Sequence, residues 1–311
     1  MRLFAIILAL GTSCVHLPAW GQMPVCRGVR IPLDISIGGT PVAKLAIDGL
    51  KSNFLLDTGA TYSAIDALTL RIPAGTHITF SVFSLFKSTS VEFMAEDMSA
   101  FRAPAGGQQG RIGTDLLGQA RIEFHYEVSP PFAVMGTAFC DPATLRNAGF
   151  VEIDLRGYSA ANPSHIQPKN GIPNVPVIGM RIGTTVFPAQ VDTGLDDEFQ
   201  PRVVQANAAL IAALRRACLS MHSVQGPPTL GCDRRWINEY WQVDGIPLTM
   251  ITTDGKPIGV YPPPVLEVKA DQTCGGISAF DVPFGQLGAS WLLRWGTSVY
   301  DGPAGRVWIR R

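Results

Sequence analysis

Leu56-Asp57-Thr58-Gly59 and Val191-Asp192-Thr193-Gly194 are two copies of one short pattern, and they decide the fold. Each aspartate stands ten residues after an isoleucine, Ile47 in the first copy and Ile182 in the second. A run typical of a β-strand precedes each triplet, and the glycine marks a turn. We interpret the matched spacing as an internal repeat in which strand, tight turn and strand are made twice.

A second pair of matching steps lies further along each half. Ile112-Gly113 is followed by Leu116-Leu117, and Leu287-Gly288 is followed by Leu292-Leu293. The 32 glycines and 24 prolines favour short strands and close turns over long helices. The sequence therefore predicts a mostly β, two-lobed fold made from duplicated β lobes.

The predicted lobes cover residues 22–141 and 175–311, and an interlobe linker rich in Pro, Asn and Gly covers 142–174. A crossing strand is expected at about 150–155, inside this linker. The apolar periodicity predicts one substantial helix, at about 203–218 in the second lobe.

Two carboxylates that act on one water are sufficient for a hydrolase without a nucleophilic side chain. An ionised carboxylate takes the proton of the water, and a protonated one donates to the scissile carbonyl oxygen. Carboxyl groups this close share a proton and titrate as a pair. We expect the glycines to reach φ values closed to other residues and to bring backbone N–H groups to the carboxylates. We expect the threonine hydroxyls to hydrogen-bond across to the opposite loop.

The two Asp-Thr-Gly stretches and the two apolar-Gly steps resemble the pepsin and retropepsin clan of aspartic proteases, over about residues 31–309. The resemblance implies a two-lobed, pepsin-like acid-protease fold with Asp57 and Asp192 as the catalytic pair. It implies supporting roles for four further loop residues, which are Thr58, Gly59, Thr193 and Gly194. It also implies an aspartic endopeptidase that acts on a peptide or protein substrate and needs no cofactor or metal. Because one chain carries both triplets, we expect a monomer.

The second loop departs from the clan's pattern in three places. Leu195 follows the second glycine, where the clan favours a small residue or a hydroxyl that would bond the carboxylate. Gln190 puts a polar group into a strand that is apolar in the first lobe. Asp196-Asp197-Glu198 follows the loop, and we interpret it as a solvated turn, with a cation site as the alternative.

Three functions stay open on this sequence. The chain is an active endopeptidase, a catalytically inactive aspartic-protease-like protein that binds peptides in the same cleft, or a structural protein that kept only the fold. Both aspartates and both threonines are intact, which favours the first. The sequence contains no serine-hydrolase elbow, His-Glu-x-x-His zinc motif or phosphate loop that would compete with this interpretation.

The first 21 residues predict a signal peptide, and hence an exported protein, periplasmic or secreted. Arg2 supplies positive charge, an apolar run covers Leu3 to Leu10, and Ala19 and Gly21 are small residues at cleavage positions. The run is shorter than a bilayer span, so no transmembrane segment is expected in the mature chain. Lipid attachment at Cys14 is the alternative.

Charge and cysteine usage exclude several other classes. The 25 basic and 25 acidic residues balance, so the chain lacks the basic excess of a nucleic-acid-binding protein. The cysteines form no CxxC pair, so a zinc site is not expected. In an oxidising compartment we expect a disulfide between Cys26 and Cys140. The remaining cysteines allow three single pairings, among Cys218, Cys232 and Cys274.

Overall fold

The computed structural model describes residues 26–81, 90–98, 107–136, 140–153, 175–197, 201–230, 236–237, 239–252, 254–269 and 276–310. The predicted signal segment, Cys14, Cys232, Cys274, Glu198 and most of the linker lie outside the described residues. Within the described part the chain is mostly β, as predicted, with five short α-helices.

The first half contains ten strands and three helices within the described residues. The strands are β1 (Val29–Ile35), β2 (Pro41–Ile47), β3 (Leu50–Leu56), β4 (Ala64–Asp66), β5 (His77–Phe80), β6 (Val91–Glu96), β7 (Gly110–Ile112), β8 (Arg121–His125), β9 (Phe132–Gly136) and β10 (Phe150–Glu152). The helices are α1 (Ala67–Leu70), α2 (Thr114–Leu117) and α3 (Pro142–Asn147).

The second half continues in the same style. Its strands are β11 (Val177–Ile182), β12 (Thr185–Val191), β13 (Val204–Asn207), β14 (Met221–Val224), β15 (Thr229–Leu230), β16 (Trp236–Ile237), β17 (Tyr240–Val243), β18 (Leu248–Ile251), β19 (Pro257–Tyr261), β20 (Val265–Lys269), β21 (Gly285–Leu287), β22 (Thr297–Asp301) and β23 (Arg306–Arg310). Its helices are α4 (Ala208–Arg216) and α5 (Ala289–Trp295), and a 3₁₀ turn covers Gly276–Ala279.

Two large sheets hold most of these strands. Among the described residues, the first sheet has the order β10-β23-β22-β8-β9-β1-β2-β3-β7-β4-β6-β5 and the second β14-β17-β20-β13-β21-β12-β11-β18-β19. Strand β1 alternates between buried and exposed positions, with buried Ile31 and Leu33 beside exposed Arg30 and Asp34, whereas β13 and β22 are buried throughout. A continuous apolar core forms beneath both sheets, and it includes Phe54 of the first half and Phe187 of the second.

The internal repeat is visible in the strand order. Five neighbouring strands, β2-β3-β7-β4-β6, correspond in order and direction to β11-β12-β21-β13-β20. β3 runs parallel to β7 as β12 runs parallel to β21. The predicted duplication and fold class, mostly β with two pepsin-like lobes, are therefore confirmed. Each Asp-Thr-Gly triplet begins where the corresponding strand, β3 or β12, ends.

The two halves are joined by more than the linker. The C-terminal strand β22 pairs with β8 in the first sheet, and β23 pairs with β10. β10 is the predicted crossing strand, and Ile153 just after it bridges to Thr252 of the second half. The predicted disulfide is also confirmed, since Cys26 and Cys140 are bonded with their Cα atoms 5.1 Å apart.

The predicted helix at 203–218 is wrong at its beginning. Residues Val204–Asn207 form β13, which is held between β20 and β21, and α4 begins only at Ala208. The Asn207 side chain caps the helix by accepting the N–H of Leu210 at 2.9 Å. Pairing on both edges of the strand therefore overrides the helical periodicity of this segment. In the described part of the chain, no helix is long and apolar enough to cross a membrane.

Candidate active site

The two Asp-Thr-Gly loops lie at matched places in the two sheets. We call Asp57–Ala60 the first loop and Asp192–Leu195 the second loop. The N–H of Asp57 donates to the carbonyl of Ile112 at 2.9 Å, and the N–H of Asp192 donates to the carbonyl of Leu287, also at 2.9 Å. The apolar-Gly steps found in the sequence therefore lie directly beside the loops and fix where they begin.

Each loop wraps its own backbone around its carboxylate. Oδ1 of Asp57 accepts the N–H groups of Gly59 at 2.8 Å and Ala60 at 3.0 Å. Oδ1 of Asp192 accepts those of Gly194 at 2.8 Å and Leu195 at 3.1 Å. Both carboxyl groups are thus held in one orientation by main-chain donors.

The two glycines are required for space: they bring their N–H groups to the carboxylates as expected, but the expectation of special φ values is wrong. Neither has a positive φ, so no unusual backbone conformation demands glycine there. A Cβ on Gly59 would lie 2.1 Å from Cγ of Asp192, and one on Gly194 would lie 2.4 Å from Cγ of Asp57. Each glycine therefore makes room for the carboxyl group of the opposite loop.

The threonines cross between the loops as predicted. The Thr58 hydroxyl donates to the carbonyl of Val191 at 2.7 Å and accepts the N–H of Thr193 at 3.1 Å. The Thr193 hydroxyl donates to the carbonyl of Leu56 and accepts the N–H of Thr58 at 2.9 Å. Both side chains are buried. This reciprocal set of hydrogen bonds holds the two loops in one register.

The carboxyl groups of Asp57 and Asp192, which we call the dyad, lie close together, since each stands directly beside the glycine of the opposite loop. Burial raises the pKa of Asp57, and the nearby Arg111 guanidinium opposes this rise. Burial and then the charge of Asp57 raise the pKa of Asp192 well above its usual value. The arrangement therefore favours one proton shared by the pair, and the charge of Arg111 favours the ionised form at Asp57.

Arg111 belongs to a small network on the first-lobe side of the dyad. Its Nη2 is 2.9 Å from Oε1 of Glu96, and its Cζ lies 4.6 Å from the centre of the Tyr62 ring. The Tyr62 hydroxyl donates to the same Glu96 oxygen. Arg111 therefore has a fixed position from which its charge stabilises ionised Asp57.

The glutamines of the second lobe were not anticipated as part of the site. Gln286 Nε2 donates to Oδ2 of Asp192 at 2.6 Å. Gln190 is buried, and its Nε2 donates to the carbonyl of Gly59 at 3.4 Å. The sequence signal was the polar residue at 190 in an otherwise apolar strand, but it did not identify Gln286, its partner in register.

The prediction of a solvated acidic turn after the second loop is wrong for the described residues. Asp197 is buried and accepts the N–H of Ser290 at 3.1 Å and the N–H of Arg202 at 3.2 Å. Burial raises its pKa. Asp196 accepts the hydroxyl of Ser36 at 3.0 Å. These two acids anchor the loop to its surroundings, and no metal-ligating cluster of acids, histidines and cysteines occurs in the described residues.

The dyad lines an open cleft of about 480 Å³. Besides the two loops, the cleft is lined by Thr61, Tyr62, Arg111 and Gly276. This volume is in the range of ordinary ligand sites.

Comparison with known proteins gives similarity of shape only. No protein-family model and no curated protein sequence matches the chain. Conglutin gamma, a basic 7S globulin from lupine seeds, is 10% identical with a TM-score of 0.49, covering 91% of this chain and 94% of that chain. An aspartic proteinase from Irpex lacteus is 12% identical with a TM-score of 0.48, covering 91% and 96%. The basic 7S globulin of soybean is 10% identical with a TM-score of 0.44, covering 91% and 94%. These values concern overall shape and do not decide activity.

Proposed function

We propose that the chain is an exported aspartic endopeptidase, in which Asp57 and Asp192 activate one water to hydrolyse peptide bonds. The observation that carries this proposal is the pair of neighbouring carboxyl groups, each held by the backbone of its own loop, with the two loops locked together by the crossed threonines. A scaffold without chemistry has no need for two half-buried carboxyl groups placed side by side in a cleft.

The two carboxyl groups take different roles in the proposed reaction. Asp57, whose negative charge Arg111 stabilises, is ionised and accepts a proton from the water as its oxygen attacks the carbonyl carbon. Asp192 carries the shared proton and donates it to the carbonyl oxygen, which gives a neutral tetrahedral diol. Asp57 then passes its proton to the amide nitrogen as the C–N bond breaks, and Asp192 recovers a proton from the diol.

One chain supplies both halves of this site. The contacts between the loops, such as the Thr58–Thr193 pair, are all intramolecular. The proposed enzyme is therefore active as a monomer. The Cys26–Cys140 disulfide agrees with export to an oxidising compartment, periplasmic or exterior.

Leu195 favours a second candidate function, peptide binding without hydrolysis. It stands where the clan resemblance leads us to expect a hydroxyl or a small residue beside the carboxylate, and it lines the cleft. In that case the same cleft holds an extended peptide and releases it unchanged.

The deciding experiment is digestion of a diverse peptide mixture by the mature chain, read by mass spectrometry across pH 3 to 8. Wild type should produce new peptide termini, and Asp57→Asn and Asp192→Asn should each reduce the rate by about 100-fold or more, because each leaves one carboxyl group without its partner. Asp281→Asn is the matched control, since Asp281 is exposed and far along the chain from both loops. Its rate should equal that of wild type.

The outcomes separate the two candidates. Peptides that are retained by wild type without new termini would favour the binding function. Cleavage that survives in the Asp57→Asn, Asp192→Asn double variant would contradict both the dyad and the proposed mechanism.

A further inference from the structure

Gln286 makes a close contact with the dyad, although it belongs to neither Asp-Thr-Gly loop. Its Nε2 donates to Oδ2 of Asp192 at 2.6 Å. Oδ1 of the same carboxyl group is already occupied by the N–H groups of Gly194 and Leu195. The glutamine therefore binds the one carboxyl oxygen that the loop backbone leaves open.

The backbone of Gln286 is fixed on both sides. It is the central residue of β21, where it pairs with Gln190 of β12 and with Gln205 of β13. Because β21 is paired on both edges, the Cα atom of Gln286 has little freedom to move. The donor is therefore supported by rigid elements rather than by a loop.

The first lobe has a different residue at the matching position. Arg111 pairs with Leu55 of β3 as Gln286 pairs with Gln190 of β12. Its guanidinium binds Glu96 and stacks on Tyr62. The amide donor therefore acts on the second carboxyl group, and the first lobe has no amide at the matching position.

We propose that Gln286 is the positioning residue of the Asp192 carboxyl group, in place of the hydroxyl that the second loop lacks at Leu195. This inference extends the proposed function, because it concerns how the same dyad is held for proton transfer. Both lone-pair positions of Oδ1 are used by N–H donors, so the proton of the neutral carboxyl group is on Oδ2. Gln286 therefore binds the oxygen that carries the transferable proton and fixes the plane in which it is presented.

A neutral donor in this position also affects proton binding. An N–H donated to a carboxyl oxygen favours the ionised form, so Gln286 holds down the upper apparent pKa of the dyad. The charged group that acts on the dyad from the first lobe is Arg111, which is paired with Glu96. Two acids follow the second loop. Those acids, Asp196 and Asp197, are bonded to Ser36 and Ser290. Their partners are not altered when Gln286 is replaced.

The test is a ¹³C-carboxyl NMR titration of the aspartate-labelled mature chain, with the dyad resonances assigned from Asp57→Asn and Asp192→Asn. In Gln286→Met, which keeps the length of the side chain and removes the amide, the upper titration step should rise by about one pH unit. The alkaline limb of the pH–rate profile for peptide cleavage should move in the same direction. The matched control is Gln190→Met, a neighbouring amide that reaches a backbone carbonyl of the first loop, and its upper step should not move.

Gln286→Asn is a second variant, which keeps the amide on a side chain one methylene shorter, so the amide no longer reaches Asp192. It should also raise the upper titration step of the dyad. An unchanged upper step in both Gln286 variants would overturn the inference. An equal shift in Gln190→Met would also overturn it, because a general change in packing would then be the cause. The titration needs no substrate, so a wild type that fails to cleave peptides would contradict the proposed function while the titration still decides this inference.

Discussion

The first and second loops have the same backbone arrangement but different neighbours. Both begin with an N–H donated to the carbonyl beside the apolar-Gly step, and both wrap two N–H groups around one carboxyl oxygen. Around this common frame, Arg111 stands beside the first carboxyl group and Gln286 is bonded to the second. The repeat therefore supplies the geometry, and the residues that differ at one matched position, Arg111 and Gln286, supply the chemical difference between the two acids.

A hydrogen-bonded serine–aspartate pair occurs in both lobes with the two residue types exchanged. In the first lobe Ser63 donates its N–H and hydroxyl to Asp115, whereas in the second lobe Ser290 donates both groups to Asp197. Asp115 and Ser290 each stand two residues after the glycine of the apolar-Gly step. The residue types have changed places while the paired hydrogen bonds remain. Both lobes therefore keep the paired hydrogen bonds at this place, although the carboxylate follows the apolar-Gly step in the first lobe and the Asp-Thr-Gly loop in the second.

The largest expected effect comes from the threonines, where the two loops are most alike. Thr58→Val and Thr193→Val should each lower the free energy of unfolding by about 3 kcal/mol, because each strands a buried N–H and a buried C=O. Chemical denaturation measures this loss, and peptide cleavage should fall with it.

Thr76→Val is the control, since its exposed hydroxyl donates only to the nearby carbonyl of Pro73. It should cost well under about 1 kcal/mol. If only one of the two substitutions, Thr58→Val or Thr193→Val, lowered the free energy of unfolding, the two loops would not contribute equally to stability.

A smaller effect is expected on the pH dependence of the free energy of unfolding, which reports on Asp57 and Asp192. Because the pKa values of both are raised in the folded state, folding takes up protons, and the stabilisation present below about pH 4 is lost as pH rises through the folded pKa values. The free energy of unfolding of wild type should therefore fall between pH 4 and pH 7 by about 1–3 kcal/mol more than that of Asp192→Asn.

Denaturation curves at a series of pH values measure this difference. The buried Asp197, whose pKa is also raised, is present in both proteins, so its contribution cancels. Asp57→Asn should show the same sign, because it also removes one member of the coupled pair. A wild type that gains stability over this interval relative to Asp192→Asn would show that the dyad is ionised at low pH.

The smallest effect is expected at Leu195, the most visible difference between the loop sequences. Leu195→Ala makes the second loop Asp-Thr-Gly-Ala, like the first. The contact of residue 195 with the carboxyl group is made by its N–H, which alanine keeps, so the turnover rate should stay within about threefold of wild type. The Michaelis constant is expected to change more, because the side chain lines the cleft.

Leu195→Asp, which adds charge beside the dyad at the same position, serves as the contrasting variant. It should reduce the rate strongly by raising the dyad's pKa values further. A large loss of turnover in Leu195→Ala would instead mean that the leucine side chain itself holds the second loop.

The sequence could predict those parts of the site that are local or repeated. The carboxyl pair, the crossed threonines and the disulfide follow from patterns within short segments or from their matched positions. Gln286 could not be identified, because its contact with Asp192 depends on the register of β12 and β21, which lie far apart in the chain. Asp197 was misjudged for the same reason, since its partner Ser290 comes from α5. The beginning of α4 was misjudged although Asn207 is a good N-cap, because the strand before it shares the helical apolar spacing.

The pairing of β22 with β8 has a consequence for the order of events during synthesis. Thr297 pairs with His125, so β8 receives this neighbour only after the segments from β9 to β21 have been made. Contacts between such distant segments form late, after the local hairpins. A nascent or truncated chain that ends before β22 therefore carries an open strand edge at β8, where another chain can pair with it.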